Sequence, residues 1–212
     1  TADARGGTAH ADQLDVTSWE DHQRVIAGTL ERFSRIDVLH NNVGIASIGG
    51  LQAVDVDEWR RVLETNTTGA FLAAKAIVPQ MLRQGGGVIT NVSSIASMGV
   101  LKVPVLAYGV AKAALNFLTR SIAVEYAGRG IRANVIVPGL IDTPMVRNAP
   151  GMVRQYSDED EMILQRHAWS PTGRMGEVSD IAEAAVFLAS HAAKYINGVV
   201  LPVDGGLTCK VG

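Results

Sequence analysis

Short apolar stretches alternate with longer segments of helical period along the 212 residues of the chain. The apolar stretches, several rich in β-branched residues, predict strands at residues 8–16, 36–41, 88–92, 131–137 and 198–203. The segments between them predict helices at residues 18–35, 57–81, 108–128 and 178–190. Single strands separated by helices are typical of a parallel sheet covered on both faces, so the pattern predicts an α/β doubly wound fold.

Local signals place several element ends. Asp21 follows Ser18 by three residues, which is the spacing of a helix N-terminal cap. Weak helix formers at residues 66–69 interrupt the second helix, and the glycines at 85–87 end it. Residues 142–176 are polar and irregular, with a helical pattern at 152–167. No internal repeat or linker divides the chain, which predicts a single domain over residues 1–212.

The composition excludes several classes of function. A formal net charge of −2 and scattered basic residues offer no electrostatic surface for nucleic acid. There is no apolar run of about 18 residues for a membrane span and no signal-peptide pattern, so a cytoplasmic location is expected. The single Cys209 and five histidines without ligand spacing predict no metal site.

Polar or glycine-rich turns follow the predicted strands, at Asp15, Asn42, Ser94 and Gly139. The carboxyl ends of parallel strands share one edge of a sheet, where α/β proteins place their binding sites. We therefore expect these four residues to line one crevice.

Tyr108 and Lys112 lie one turn apart on the same face of a predicted helix. A free tyrosine, with a pKa of about 10, is a poor base at neutral pH, but a neighbouring ammonium favours the phenolate. A serine hydroxyl from a strand end could hold an alcohol or a carbonyl beside the phenol. The pair alone is also compatible with a solvated lysine beside a half-buried ring, so the surrounding motifs decide.

Seven sequence elements occur in one order, almost from end to end of the chain. They are Asp15-Val-Thr17, Asn41-Asn-Val-Gly44, Asn66, Asn91-Val-Ser-Ser94, Tyr108-x-x-x-Lys112, Pro138-Gly-Leu-Ile-Asp-Thr143 and Asp204-Gly-Gly206. This order resembles the short-chain dehydrogenase/reductases, specifically their compact single-domain branch of roughly 250 residues. The resemblance implies a Rossmann-like fold and an NAD(P)-dependent oxidoreductase that interconverts a secondary alcohol and a ketone by hydride transfer.

The resemblance also implies catalytic roles for the matching residues. Tyr108 would be the general acid/base, and Lys112 would lower its pKa. Ser94 would orient the substrate oxygen, and Asn66 would hold a water in a proton relay. Ser93 rather than Ser94 could be the active hydroxyl, since adjacent strand residues face opposite ways. Asn66 could instead only kink its helix.

The cofactor implied by the resemblance is NAD or NADP. Asp15 and Val16 would contact the adenine, and Asn42 and Gly44 would back the ribose. Lys112, beside Tyr108, would hold the nicotinamide ribose hydroxyls. The Ile141 backbone and Thr143 would seat the carboxamide, although Thr143 could only cap a helix before Pro144.

Residues 144–176 are expected to form a substrate-binding loop, which would meet a small-molecule alcohol or ketone. Met145, Met152 and Met162 would line the apolar underside of this loop, where flexible side chains suit a lid. His167 of this loop is a further candidate for contact with the substrate. Apolar faces at residues 70–74 and 113–118 are suited to packing between helices, so a homodimer or homotetramer is expected.

Three features depart from the family pattern. Val43 replaces a usual alanine, and the spacing from Ser94 to Tyr108 is one residue longer than usual. The glycine-rich turn that would meet the cofactor pyrophosphate is not found, so the first βαβ unit is predicted to be missing from this chain. The determinant that selects NAD or NADP belongs to that unit, and the choice stays open.

The missing unit leads to a hypothesis that the chain is a fragment of a longer polypeptide. An alternative function is then a cofactor-free, catalytically silent fragment that acts only as a binding or assembly module. A third hypothesis keeps the family but changes the chemistry to dehydration or epimerisation. The presence of Ser94, Tyr108 and Lys112 favours the oxidoreductase.

Overall fold

The computed structural model describes residues 6–147 and 158–210. In these residues four parallel strands form one sheet in the order β1-β2-β3-β4. The strands are β1 (Val38–Asn41), β2 (Gly87–Val92), β3 (Ile131–Pro138) and β4 (Val200–Val203). The parallel α/β sheet predicted from the alternating pattern is confirmed.

Helices separate the strands as predicted. The described residues contain α1 (Trp19–Phe33), α2 (Val56–Leu63), α3 (Gly69–Gln84), α4 (Leu106–Tyr126), α5 (Pro144–Arg147), α6 (Glu159–Trp169) and α7 (Val178–Ala189). A π-helical turn, Glu64–Thr68, separates α2 from α3 at the predicted weak helix formers. None of these helices is long and apolar enough to cross a bilayer.

Capping groups set the ends of several helices. The Ser18 side chain accepts a hydrogen bond from Asp21 N and begins α1. Gly85 ends α3 with φ 85°, a left-handed conformation that favours glycine. Asp158 accepts from Glu161 N and begins α6. Of the predicted helix at 152–167, the structure describes the part in α6, and residues 152–157, with Met152, lie outside the described residues.

Alternating side chains of the sheet contact helices on opposite faces. Ile89, Ile131 and Ala133 pack in one cluster with apolar residues of α3 and α4. Arg132, which points to the other face, donates from Nη2 to Ser190 O at 3.2 Å, directly after α7. The predicted covering of the sheet by helices on both faces is thus present in β3.

The predicted strand at residues 8–16 is wrong. The described residues from Gly7 to Asp15 have no regular secondary structure and are mostly exposed. A strand needs a neighbour to pair its amide and carbonyl groups, and β1 pairs only with β2 among the described strands. Asp15 N instead donates to the Asp21 carboxylate at 2.8 Å.

Candidate active site

A cavity of about 1140 Å³ lies at the carboxyl ends of the strands, between the segment after β2 and helices α6 and α7. Its lining includes most of the predicted site residues, namely Asn42, Gly44, Ser94, Tyr108, Lys112, Ile141 and Thr143. The crevice predicted from the strand ends is therefore present for Asn42, Ser94 and Gly139, whereas the prediction for Asp15 is wrong, because no strand precedes it in the described residues to bring it to this edge. Asp15 and Val16 do not belong to this lining, and Asn66 lies behind Gly44.

Ser94 and Tyr108 meet at the cavity wall. Ser94 follows β2 with an extended backbone and begins a short 3₁₀ turn, Ile95–Ser97, in which its Oγ accepts from Ala96 N at 3.2 Å. Its side chain lies close enough to the Tyr108 hydroxyl to affect the pKa of that phenol. The Ser93 hydroxyl is buried and donates to Lys112 O at 3.1 Å. Ser94 is therefore the serine of this pair that faces the phenol.

Opposing effects act on the Tyr108 phenol. Burial raises its pKa, because the negatively charged phenolate loses solvation, and the neighbouring Ser94 side chain lowers it. The protein without ligands thus holds Tyr108 as a neutral phenol at neutral pH. A base at this position needs a nearby positive charge to stabilise the phenolate.

Lys112 supplies a positive charge next to Tyr108. Its Nζ lies 5.7 Å from the centroid of the Tyr108 ring and donates to Val92 O at 2.8 Å. The residue is only 3% exposed, and burial lowers its pKa to about 8. Lys112 is therefore mostly charged at neutral pH, at the cost of keeping an ammonium in a poorly solvated position.

Asn66 fixes the backbone next to Gly44. Its Nδ2 donates to Ile45 O at 3.0 Å and to Val62 O at 2.9 Å, and its Oδ1 accepts from Ile45 N at 3.1 Å. A Cβ on Gly44 would lie 2.5 Å from Asn66 Oδ1 and 3.1 Å from Lys112 Nζ. Glycine is thus required for Asn66 and Lys112 to approach this turn, whereas the water relay through Asn66 stays a prediction.

Ile141 presents backbone groups at the other side of the cavity. Gly176 N donates to Leu140 O at 2.9 Å, and Asp142 N donates to Gly176 O at 3.0 Å. In this parallel bridge, Leu140 O and Asp142 N form the hydrogen bonds with Gly176. The amide and carbonyl of Ile141 therefore lie on the opposite edge of the segment. Thr143 both lines the cavity and caps α5, accepting from Val146 N at 3.4 Å.

Asp15 and Val16 lie beside the start of α3. Val16 O accepts a hydrogen bond from His22 Nε2 at 2.9 Å. Val16 also packs against Gly69, where an added Cβ would lie 3.0 Å from Val16 O and 3.2 Å from Val16 Cβ. The Asp15 carboxylate accepts from the backbone and the hydroxyl of Thr17, which lowers its pKa. Both residues are used in this local structure, and their contact with an adenine stays a prediction.

Comparisons with known proteins show what the chain as a whole is similar to. A family model described as enoyl-(acyl carrier protein) reductase matches residues 1–208. The 2,5-dichloro-2,5-cyclohexadiene-1,4-diol dehydrogenase of Sphingobium indicum is 36% identical over 208 residues, which cover 98% of this chain and 79% of that protein. The 2-(R)-hydroxypropyl-CoM dehydrogenase of Xanthobacter autotrophicus is 39% identical over 208 residues, which cover 94% of this chain and 80% of that protein.

The crystal structure of a short-chain dehydrogenase/reductase from Burkholderia xenovorans superposes on the chain with a TM-score of 0.93 at 37% identity. The match covers 99% of this chain and 79% of that one. The chain belongs to the short-chain dehydrogenase/reductase family. Membership confirms the Rossmann-like fold and the oxidoreductase class that the seven ordered elements predict.

Several residues that line the cavity were not named individually from the sequence, although two of them fall within the predicted substrate-binding loop at 144–176. Lys102, Arg166 and Trp169 line the cavity of this short-chain dehydrogenase/reductase, and Lys102 Nζ lies 5.2 Å from the centroid of the Trp169 ring. Lys102 and Trp169 belong to irregular or terminal segments, where no periodic pattern or motif marks a cavity-lining side chain. Only the three-dimensional arrangement brings them together.

Proposed function

We propose that this protein is an NAD(P)-dependent oxidoreductase that interconverts a secondary alcohol and a ketone. The observation that carries the proposal is the meeting of the Ser94 and Tyr108 side chains one helical turn from the Lys112 ammonium, inside a cavity at the strand ends. The two curated relatives above are both named as dehydrogenases, and each name specifies a diol or a hydroxypropyl compound. These names support an alcohol as the substrate.

The residues present fit a nicotinamide cofactor. Among the residues described, Lys112 Nζ donates one hydrogen bond, to Val92 O, and an ammonium has three N–H donors. Its other donors suit the hydroxyls of a ribose and the oxygen of Tyr108. The Ile141 backbone groups suit a carboxamide, and Asn42, Gly44 and Thr143 line the same cavity. When bound, NAD or NADP would supply or accept the hydride.

Each catalytic side chain then has a defined task. During alcohol oxidation, Tyr108 takes the hydroxyl proton of the substrate, and during ketone reduction it returns that proton to the oxygen. Ser94 holds the same oxygen by a hydrogen bond. Lys112 stabilises the phenolate through its charge, and Asn66 fixes the turn that carries Gly44 and Ile45.

Residues 144–176 are proposed to form the substrate-binding part of this single domain. Pro144, Val146, Arg166 and Trp169 of this segment line the cavity. Met162 is fully buried under it, as its predicted apolar role requires, whereas Met152 lies outside the described residues. His167 accepts from Met175 N at 2.9 Å through Nδ1, which fixes the turn after α6.

Turnover tests the proposed function directly. Full-length protein incubated with NADH or NADPH and a panel of ketones should oxidise the cofactor, and the reverse reaction should appear with secondary alcohols. Nicotinamide absorbance measures both directions and also identifies the preferred cofactor. Absence of turnover with both cofactors across the panel would contradict the proposal. It would instead favour the alternative function as a binding or assembly module, which the enzymatic relatives do not favour.

We also propose that the protein forms a homodimer or homotetramer in the cytoplasm. Val110, Phe117 and Val124 follow one another at intervals of two helical turns on α4, and they are 40%, 73% and 82% exposed. Phe71 on α3 is also 43% exposed. Exposed apolar residues at this spacing on a long helix suit packing against the same helix of a second copy.

Phe117→Arg is expected to dissociate this oligomer, because a guanidinium would be desolvated at the centre of an apolar contact. Light scattering coupled to size exclusion should show the mass falling to that of one chain. Leu51→Arg serves as the control, since Leu51 is an exposed apolar residue outside these helices. An unchanged mass for Phe117→Arg, or a monomeric parent protein, would refute the proposed interface.

A further inference from the structure

Ser97 connects the backbone of Ser94 to helix α4. Its Oγ donates to Ser94 O at 2.6 Å, and its backbone N–H donates to the same oxygen at 2.9 Å. The Ser97 Oγ also accepts from Asn116 Nδ2 at 2.9 Å. The 3₁₀ turn Ile95–Ser97 is therefore fixed by side-chain hydrogen bonds to α4, the helix that carries the proposed general acid/base.

Asn116 lies on the same face of α4 as the catalytic side chains. It follows Lys112 by one helical turn and Tyr108 by two, so the three residues lie in one row along the helix. Asn116 is only 8% exposed, and neither Asn116 nor Ser97 belongs to the cavity lining. The pair therefore lies behind the site rather than in contact with its ligand.

The direction of the hydrogen bond between Asn116 and Ser97 follows from the protons available. A serine hydroxyl has a single proton, which Ser97 donates to Ser94 O, so Asn116 must present Nδ2 to this hydroxyl. Asn116 Oδ1 is then buried without a hydrogen-bond partner among the described residues. An unpaired buried amide oxygen destabilises a fold, so the position that Asn116 gives to the turn explains this residue better than stability does.

A second anchor holds the other side of Ser94. Ser93 Oγ donates to Lys112 O at 3.1 Å, directly before Ser94, and Ser97 binds α4 three residues after it. Between these anchors the Ser94 Oγ accepts from Ala96 N at 3.2 Å. The position of the Ser94 hydroxyl relative to α4 therefore depends on both anchors.

We propose that Asn116 and Ser97 are positioning residues, which hold the Ser94 hydroxyl at the distance from Tyr108 that proton exchange requires. This inference rests on the proposed alcohol–ketone function and adds two residues that act through Ser94. A displacement of about 1 Å in a catalytic group can lower a rate by about 100-fold, so a rigid support affects the rate directly. Cofactor binding uses other residues and should not depend on the pair.

Ser97→Ala removes the hydroxyl that joins the two segments. We expect kcat for ketone reduction to fall by about 10-fold, while KM for the cofactor stays unchanged. Ser97→Thr keeps a hydroxyl and should restore most of kcat. Ser190→Ala is the matched control, because Ser190 Oγ also donates to the carbonyl three residues earlier, Phe187 O at 2.8 Å, outside the cavity lining. A kcat of Ser97→Ala equal to that of the parent protein would overturn the proposal.

Asn116→Leu removes the amide but keeps an apolar side chain of similar size in the buried position. The same loss in kcat is expected, without a lower melting temperature, because the unpaired oxygen is removed as well. The two residues act in series, so the double variant should lose about 10-fold in kcat rather than about 100-fold. Losses that multiply in the double variant would show that the residues act separately and would overturn the proposed link.

The pH profile separates positioning from a loss of stability. The neighbouring Ser94 side chain lowers the pKa of Tyr108, and alcohol oxidation needs the phenolate. Lys112, the charged group beside the phenol, is unchanged in these variants. When Ser94 is displaced, the Tyr108 pKa rises, and the increase of kcat with pH should move to higher pH in Ser97→Ala. A variant that only loses folded protein keeps the profile of the parent, and that result would overturn the positioning role.

Hydrogen exchange tests the same link without turnover. The backbone N–H groups of Ala96 and Ser97 both bind Ser94, at Oγ and at O respectively. Mass spectrometry should show faster exchange at residues 95–98 in Asn116→Leu, with unchanged exchange in β3. Unchanged exchange at 95–98 would overturn the positioning role. Faster exchange there, in a protein whose parent form turns over no ketone, would contradict the oxidoreductase function but support the link between Asn116 and the turn.

Discussion

Tyr108→Phe is expected to lower kcat for ketone reduction and alcohol oxidation by about 10²- to 10⁴-fold, the usual contribution of a positioned general acid/base. The substitution removes one oxygen from a ring that is otherwise packed beside Ala107, Ala111 and Val62. The fold and the cofactor affinity should therefore be kept. Steady-state kinetics, together with circular dichroism and a cofactor titration, measure the three properties.

Tyr195→Phe provides the matched control, because Tyr195 is fully exposed and lies outside the cavity. That variant should keep the kcat of the parent protein. Normal turnover by Tyr108→Phe would show that another group exchanges the proton, and the assignment of the general acid/base would be lost.

Lys112→Met is expected to abolish most activity and yet to stabilise the fold at about pH 7. Burial lowers the Lys112 pKa from 10.5 to about 8, which corresponds to a cost of roughly 3 kcal/mol for the charged form. The substitution removes this cost, but it also leaves Val92 O without its hydrogen-bond donor, which destabilises the fold by about 1 kcal/mol. The free energy of unfolding should therefore rise by about 1–2 kcal/mol, as measured by urea denaturation.

The stability difference between Lys112→Met and the parent protein should depend on pH. Between about pH 8 and 10.5 the unfolded chain holds more protons on Lys112 than the folded protein does, so the stability of the parent protein rises with pH in this window. Methionine has no such proton, so the advantage of Lys112→Met should shrink through the window. Above it the variant should be less stable than the parent protein by about 1 kcal/mol, because only the lost hydrogen bond to Val92 O remains. A constant difference at all pH values would contradict the buried-ammonium explanation.

Much of the site could be predicted from local sequence. Tyr108 and Lys112 lie four residues apart on one helix, and that spacing alone puts them on the same face. Ser94 could be predicted less firmly, because Ser93 lies beside it and either side chain could have faced the phenol. The choice depends on how β2 lies against α4, where Ser93 Oγ reaches Lys112 O.

The incorrect strand at residues 8–16 has a different cause. Its apolar positions favour an extended chain, but a strand also needs the amide and carbonyl groups of a neighbour, which no local pattern reports. For the same reason the sequence could not show that Asp15 and Val16 lie away from the cavity lining. The motif around Asp15 and Val16 predicts contact with the adenine, but that contact depends on which distant segments of the chain pack beside them.

The sequence by itself determined the alternation of strands and helices and the catalytic spacing, because each depends on the helical or strand period over a few neighbouring residues. It also determined the family, because seven motifs occur in one order along the chain. Tertiary structure decided which serine faces Tyr108, how deeply Lys112 is buried, and that Lys102 contacts Trp169 at the cavity wall. Burial and contacts between distant segments depend on how the chain packs, and they in turn set the pKa values and the charge of the site.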